Sequence, residues 1–174
     1  MKREKRIVVI GNFGYKTNQL DGQTVKTRSI LEFLRKMNFQ DLTVVDTSFK
    51  FNITKIFQLI ISQHLIIYVG AANSFKYLLP FIWSLSKIKK SQIHYIHVGS
   101  FLVQFLKKNA TYRFFIKNAT ANYCETFGMI KELTNFSIFH NLHYLPNFRI
   151  TNFKPKFRET KTPLKLVYFG RILK

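Results

Sequence analysis

The chain has 174 residues, of which 47% are hydrophobic and 16% aromatic, and its 28 Lys and Arg against 8 Asp and Glu give a formal net charge of +20. This composition excludes a disordered chain, and the length allows one domain with a proper core but is short for two. The charge predicts a polyanionic partner, such as nucleic acid, an anionic lipid surface or a phosphorylated substrate; a low-GC genome rich in lysine codons is the simpler alternative.

The stretch 5–34 is predicted to fold as a strand, a loop and a helix. The β-branched run that ends at Ile10 is typical of a strand buried on both faces of a parallel sheet. Gly11, Gly14 and Gly22 mark the loop, and the apolar spacing after it predicts an amphipathic helix. Such a unit points backbone N–H groups and a positive helix end at the tip of the sheet, where anions can bind. The glycine spacing fits neither the dinucleotide fingerprint nor a P-loop, and glycines that only make the turn are an equally good interpretation.

Strands and helices then alternate along the chain. The predicted strands are Arg6–Ile10, Leu42–Asp46, His64–Val69, Gln92–Val98, Thr120–Tyr123 and Asn141–Leu145. The helices are predicted at Asn52–Ser62, from a Ser74 cap toward Ile88 with Pro80 near the first turn, at Phe101–Lys117 and at Thr126–Asn135. This alternation predicts an α/β fold, a Rossmann-like parallel sheet with helices on both faces.

The composition changes toward the C-terminus. Residues 1–149 form the predicted Rossmann-like domain, and the polar stretch 150–163, with its two prolines, is typical of an interdomain linker. Residues 164–174 begin with the run LKLVYF, followed by Gly170-Arg171. A buried-type strand followed by Gly-Arg is how a new α/β domain begins, so we expect 164–174 to be the truncated start of a second domain.

Metal, disulfide and membrane-spanning chemistry receive little support from the sequence. The single cysteine, Cys124, cannot form an internal disulfide and is expected to be a small buried residue. The histidines are His64, His94, His97, His140 and His143. They show no metal-ligand spacing, and we expect neither a metal nor a cofactor. The apolar region 65–85 is interrupted and falls short of a membrane span, and the basic N-terminus leads into a strand rather than a signal peptide.

Three segments resemble one enzyme family: IGNFGYKTNQLDGQTVKTR near the start, LPNFR at 145–149, and LVYFGRILK at the end. In this order and spacing the chain resembles the N-terminal half of a GT-B glycosyltransferase of the retaining family 4, which includes many bacterial surface-polysaccharide enzymes. The resemblance covers nearly the whole chain. It implies an acceptor-side domain, a second domain that binds the nucleotide-sugar, and catalysis without a metal.

The resemblance also implies roles for individual residues. Gly22 and Gln23 lie where the family has a Gly-Gly turn whose N–H groups face the sugar diphosphate, and Thr24 and Lys26 would reach the same cleft. Asp21 departs from the family pattern, and its carboxylate would repel phosphate unless it caps the helix. His97 is close to a position where the family often points a histidine at the donor sugar, as a catalytic residue; a histidine packed at a strand end is the equal alternative. Arg171 matches the arginine that pairs with the donor diphosphate.

A basic and aromatic face is the candidate contact with an anionic membrane and a lipid-linked acceptor. Its predicted basic residues are Lys87, Lys89, Lys90, Lys107, Lys108, Arg113 and Lys117, and its aromatic residues are Trp83, Phe105, Tyr112, Phe114 and Phe115. The alternative is that the lysines are merely solvated and that the aromatic rings belong to the core.

The sequence therefore favours a glycosyltransferase that moves a sugar from a nucleotide-sugar to a lipid-linked or polysaccharide acceptor in bacterial capsule or surface-polysaccharide synthesis. As given, the chain is expected to be an incomplete, inactive part of it, cytoplasmic or peripheral on the inner face of the membrane. One alternative is a stand-alone basic α/β module that binds nucleic acid, although no motif for it is present. Another is a non-catalytic subunit of a split enzyme, with a partner chain that carries the C-terminal domain.

Overall fold

The computed structural model of the protein describes residues 6–15, 21–39, 41–48, 64–70, 72–99 and 101–148. The strands in these ranges are β1 Ile7–Gly11, β2 Leu42–Asp46, β3 Leu65–Gly70, β4 Gln92–His97, β5 Ala121–Cys124 and β6 Leu142–Tyr144. The helices there are α1 Gly22–Lys36, α2 Ala72–Lys89, α3 Phe101–Lys108, α4 Thr111–Lys117 and α5 Phe127–Asn135. The predicted Rossmann-like α/β fold is confirmed, and every predicted strand is present within a residue or two of its predicted ends.

The six strands form one parallel sheet in the order β2-β1-β3-β4-β5-β6. Ile7 pairs with Leu42 on one side and with Leu65 on the other, which places β1 between β2 and β3. All five residues of β1 are buried, as expected for a central strand covered on both faces. Each later strand then adds to the same growing edge of the sheet.

Alternate strand residues serve two separate cores. Ile7 and Val9 pack with the apolar face of α1, including Ile30 and Leu31, on one side of the sheet. Val8 and Ile10 belong to the larger core on the other side, which α2, α3, α4 and α5 cover. The period-two alternation of a strand produces this division. The described helices therefore cover the two faces unequally, with α1 alone on one of them.

The predicted single helix 101–117 is wrong, because the chain breaks into α3 and α4 at Asn109 and Ala110. The side-chain amide of Asn109 donates to the carbonyl of Phe105 at 2.9 Å, and its backbone carbonyl accepts the N–H of Tyr112 at 3.1 Å. Asparagine competes in this way for the backbone groups that would continue a helix.

Pro80 was predicted near the first turn of its helix, and it lies instead in the middle of α2. A proline there cannot donate to the carbonyl four residues earlier, which belongs to Lys76. The hydroxyl of Tyr112, on α4, donates to that carbonyl at 2.8 Å. The neighbouring helix thus satisfies the acceptor that Pro80 leaves free, and α2 continues through it.

Several predicted features lie outside the described residues. These are the helix Asn52–Ser62, the linker 150–163, the start of a second domain at 164–174, and Arg171. Within the described ranges, no helix has both the length and the apolarity to cross a membrane.

Candidate functional site

The carboxyl ends of the central strands define the candidate site. β1, β3, β4 and β5 end at Gly11, Gly70, His97 and Cys124, side by side in the sheet. Ligands of open parallel sheets bind outside these ends, where the strand order reverses. Here the reversal lies at β1 and β3, because the chain adds β2 on one side of β1 and then returns to add β3 on the other.

Helix α1 begins at this edge with an N-cap that leaves its first turn open. The Asp21 carboxylate accepts the Thr24 N–H at 2.8 Å, and the Asp21 carbonyl accepts the Thr24 hydroxyl at 2.9 Å. Asp21 therefore has the capping role that the sequence left as one of two possibilities. A Cβ added at Gly22 would meet no atom within 4 Å, and the first turn contains no acidic residue. Among the described residues nothing covers the helix at Gly22, and the Asp21 carboxylate lies at the same positive end of the helix dipole.

Close packing fixes α1 against the strands. A Cβ at Gly11 would lie 2.9 Å from the Thr27 methyl carbon and 3.1 Å from the carbonyl oxygen of Val69. Only glycine allows the end of β1 to approach α1 and β3 this closely. The start of α1 is thereby held at the strand ends.

Lys26 and Glu125 form a nearly buried ion pair at the same edge. Lys26 Nζ lies 2.8 Å from Glu125 Oε1, and the two side chains are 3% and 10% exposed. The second oxygen, Oε2, accepts the backbone N–H of Gly99 at 2.9 Å. Gly99 has a φ of +71°, in the left-handed region that favours glycine. One carboxylate thus joins α1 to the loops that follow β4 and β5.

An open pocket of about 540 Å³ lies next to this ion pair, a volume typical of small-molecule sites. Its lining residues are Gly22, Val25, Lys26, Val98, Gly99, Glu125, Asn147 and Phe148. A helix N-terminus, a lysine and a glycine N–H group are donors that bind anions, and here the Asp21 and Glu125 carboxylates accept from them. Glu125 is the one acidic side chain among the described residues of that lining.

His97, the predicted catalytic residue, is 1% exposed and does not belong to the pocket lining. Its Nε2 lies 3.0 Å from Asn122 Oδ1, and the Asn122 amide donates to the carbonyl of Ile116 at 2.9 Å. Because that oxygen can only accept, Nε2 carries the proton. Burial lowers the pKa of His97 to about 4, with the positive charge of Lys26 adding to the shift, while Asn122 and Glu125 oppose it. The ring is therefore neutral at pH 7.

A second carboxylate orders the loop after β1. Asp46, at the end of β2, accepts the N–H groups of Phe13 at 3.0 Å, Tyr15 at 3.3 Å and Ser48 at 2.9 Å. Burial opposes ionisation, but these hydrogen bonds outweigh it and lower the pKa of Asp46. Arg28, on α1, donates from Nε to the carbonyl of Phe13 at 2.7 Å. The loop that leads toward α1 is thus held from both sides.

The structure brings together some of the predicted donor-site residues. Gly22 and Lys26 line the pocket, whereas Thr24 is fully buried and directed at its own N-cap. Gln23 is half-buried, and its carbonyl accepts the hydroxyl of Thr27 at 2.8 Å. Arg171 lies outside the described residues.

The predicted membrane-facing residues lie on and after α2, α3 and α4, and none of them lines the 540 Å³ pocket. Lys87, Lys90, Lys107, Lys108 and Lys117 are exposed, Arg113 is half-buried, and the side chain of Lys89 lies outside what the structure describes. Lys107 pairs with Glu132 at 3.3 Å, and the Arg113 guanidinium lies 4.3 Å from the centroid of the Phe136 ring.

Sequence reasoning missed Glu125, Asn122 and Asp46. Glu125 and Asp46 each stand at or just after the end of a strand, in a chain that has only eight acidic residues. A rare acidic residue at a carboxyl strand end was a usable signal. Asn122 gave no such signal, because a buried asparagine inside a strand is visible only once its partners are known.

Cys124 is fully buried, as predicted, and burial raises the pKa of its thiol to about 12, although Lys26 acts in the opposite direction. Among the residues that the structure describes, no group of three or more His, Cys, Asp or Glu side chains is placed to hold a metal ion. In the described residues, the carboxyl edge of the sheet carries hydrogen-bond donors and one ion pair.

Compared with family models and with curated protein sequences, the chain matches none.

Proposed function

We propose that this chain is the acceptor-side part of a retaining GT-B glycosyltransferase, which transfers a sugar from a nucleotide-sugar to a lipid-linked or polysaccharide acceptor in bacterial surface-polysaccharide synthesis. The observation that carries the proposal is the composition of the 540 Å³ pocket. Two of the three segments that resemble the family meet there: Gly22, Val25 and Lys26 come from the first segment, and Asn147 and Phe148 come from the second. The fold therefore brings both segments to the carboxyl edge of the sheet, where ligands of open parallel sheets bind.

The chemistry of the pocket suits such a reaction. The leaving group is a nucleoside diphosphate, so negative charge grows on its oxygens and must be stabilised by fixed donors. The open first turn of α1, the Gly99 N–H and Lys26 provide donors of this kind. Arg171 would add a guanidinium from the second domain, which a complete enzyme requires. No metal is needed for this division of roles.

The proposal keeps the part of the predicted membrane contact that lies on α2 and α4, and adds the exposed residues Lys76, Tyr77 and Ile88 to it. We call it the helical surface and define it by Lys76, Tyr77, Trp83, Lys87, Ile88, Lys90, Phe114 and Lys117. Trp83 and Phe114 pack edge to face at 5.1 Å, and Lys87 Nζ lies 5.4 Å from the Trp83 ring centroid. Tyr77, Ile88 and Phe114 are 73%, 70% and 52% exposed. Exposed apolar groups among lysines suit the inner face of an anionic cytoplasmic membrane.

Filling the pocket tests the proposal directly. In Gly22→Leu no described atom lies within 4 Å of the added Cβ, so the fold should survive while inorganic pyrophosphate, which needs no nucleoside site from the second domain, binds at least about tenfold more weakly. Equilibrium dialysis measures the affinity, and the melting temperature reports the fold. Thr111→Leu is the matched control, because it also adds leucine at the exposed first residue of a helix. Equal affinities in Gly22→Leu and the wild type would refute a donor site in this pocket.

Transfer is measured with radiolabelled nucleotide-sugars and a membrane lipid extract. The product isolated from its source cells should be about twice the present length, as two domains require, and should label the lipid fraction. The 174 residues alone should not. Efficient transfer by these residues alone would refute an incomplete enzyme, and tight, salt-sensitive RNA or DNA binding in a filter assay without lipid labelling would favour the nucleic-acid module.

A further inference from the structure

The carboxylate of Glu125 lies where an anionic ligand would be expected. It accepts the Lys26 ammonium at 2.8 Å with one oxygen and the Gly99 N–H at 2.9 Å with the other. A cation and a backbone amide that converge on two oxygens of one group form the arrangement by which proteins hold phosphate and carboxylate. The other described residues that line the pocket next to them are neutral.

Glu125 also has space into which it can move. It and Gly99 also line a second pocket of about 400 Å³. Lys107 and Glu132, which are 3.3 Å apart, line this second pocket as well. A carboxylate that left Lys26 would therefore find room in a polar pocket, next to a lysine that it would share with Glu132.

We propose that Glu125 is a built-in occupant of a phosphate site formed by Lys26 Nζ and the Gly99 N–H, and that a phosphate-bearing ligand binds by displacing it. The inference rests on the proposed function, since it takes the 540 Å³ pocket to be the one that receives the diphosphate. Without ligand, the pair keeps a buried lysine neutralised, as a nearly buried cation requires. With ligand, a phosphate oxygen takes the place of Oε1, and Lys26 is never left unpaired.

In this arrangement Glu125 competes with the anionic ligand for Lys26 and the Gly99 N–H, and so limits the affinity of the site for that ligand. Any ligand must bind well enough to replace an ion pair that is already formed, so weak anions such as single phosphates are excluded and diphosphates are favoured. Removing the charge of Glu125 should remove the competitor and leave Lys26 and the Gly99 N–H without their acceptor, at a cost in folding stability that a bound anion would recover. This predicts that a substitution at an acidic residue in the pocket tightens anion binding by more than its change in net charge explains.

The test titrates inorganic pyrophosphate into ¹⁵N-labelled protein and follows the Gly99 amide by NMR. Glu125→Gln should bind pyrophosphate at least about tenfold more tightly than the wild type. Glu32→Gln is the control, because it makes the same charge change in an exposed pair with Lys36 on α1, outside both pockets. It should stay within about twofold of the wild type, since exposed charges are screened beyond roughly 8 Å. The double variant Lys26→Met/Glu125→Gln should lose the tighter pyrophosphate binding of Glu125→Gln.

A second measurement does not depend on the variants folding. In the wild type, saturating pyrophosphate should shift the side-chain carboxyl carbon resonance of Glu125 as it leaves Lys26. A resonance that stays in place at saturation would overturn the proposal, as would a Glu125→Gln affinity equal to that of Glu32→Gln. If pyrophosphate displaces Glu125 but the protein isolated from its source cells transfers no sugar, the phosphate site is supported and the glycosyltransferase is refuted. The two proposals can therefore fail separately.

Discussion

The carboxyl edge of the sheet and the exposed outer helices use charge in opposite ways. At the edge, Lys26 and Glu125 are 3% and 10% exposed, and Glu125 accepts both the Lys26 ammonium and the Gly99 N–H. On α3 and α5, the pair Lys107–Glu132 is 57% and 42% exposed and 3.3 Å apart. Both are pairs of one lysine and one glutamate, but only the first is nearly buried.

This difference shows why net charge does not locate a site. Most of the +20 charge belongs to exposed lysines and arginines, whose field attracts anions without fixing where they bind. The information about position lies in the few charged groups that the fold has buried at a cost of desolvation. The first prediction below compares the buried pair at the edge with the exposed pair, and the later predictions concern single side chains.

The largest expected effect is on stability. Glu125→Ala should lower the free energy of unfolding by about 3–5 kcal/mol, because it leaves the buried Lys26 ammonium without a counter-charge. Glu132→Ala, the exposed counterpart, should cost less than about 1 kcal/mol. Urea unfolding followed by circular dichroism measures both.

The double variant Lys26→Met/Glu125→Leu separates the pair from its surroundings. Replacing both charges with apolar groups of similar size should recover most of the stability lost in Glu125→Ala. Losses of equal size in Glu125→Ala and Glu132→Ala would show that the two pairs are equally hydrated. The contrast between edge and surface would then fail.

The second prediction uses pH. Because the pKa of folded His97 is about 4 and the unfolded value is near 6.5, the unfolded state binds a proton that the folded state excludes as pH falls below about 6.5. The resulting loss of folding stability is absent above about pH 6.5, grows as the pH falls to about 4, and stays constant below that pH. Integrated between pH 7.5 and pH 5, it amounts to about 2 kcal/mol of lost stability.

His97→Gln supplies the control for this loss. Glutamine keeps a polar group next to Asn122 but does not titrate, so stability should fall about 2 kcal/mol less between pH 7.5 and pH 5 than in the wild type. A profile of His97→Gln that is parallel to the wild type would show that His97 binds protons equally in the folded and unfolded states.

The same contrast explains what the sequence could predict. Apolar runs such as IVVIG in β1 indicate a buried strand by their composition alone. The strands, the α/β class and an N-cap of α1 near Asp21 could therefore be predicted from the sequence. The place of Lys26 at the cleft was implied by the family resemblance rather than by helix spacing. The pairing of Lys26 with Glu125 could not be predicted, because no local pattern links residues that meet only through the order of β1, β4 and β5. For the same reason the helix break at Asn109 and the role of Tyr112 toward Pro80 emerged only from tertiary contacts.

The smallest expected effect concerns the helical surface. Lys87→Gln should weaken partition onto vesicles rich in anionic lipid about fivefold, the value of roughly 1 kcal/mol for one lysine near the membrane, and the effect should shrink as salt is raised. Lys36→Gln removes the same charge from α1, which packs on the other face of the sheet, and should change partition little.

Phe114→Ser should weaken binding in a way that salt does not alter, because its exposed ring contributes apolar area rather than charge. Co-sedimentation at low and high salt measures all three. Equal losses in Lys87→Gln and Lys36→Gln would mean that the overall positive charge of the protein attracts it to the membrane. In that case α2 and α4 would not form a defined membrane-docking face.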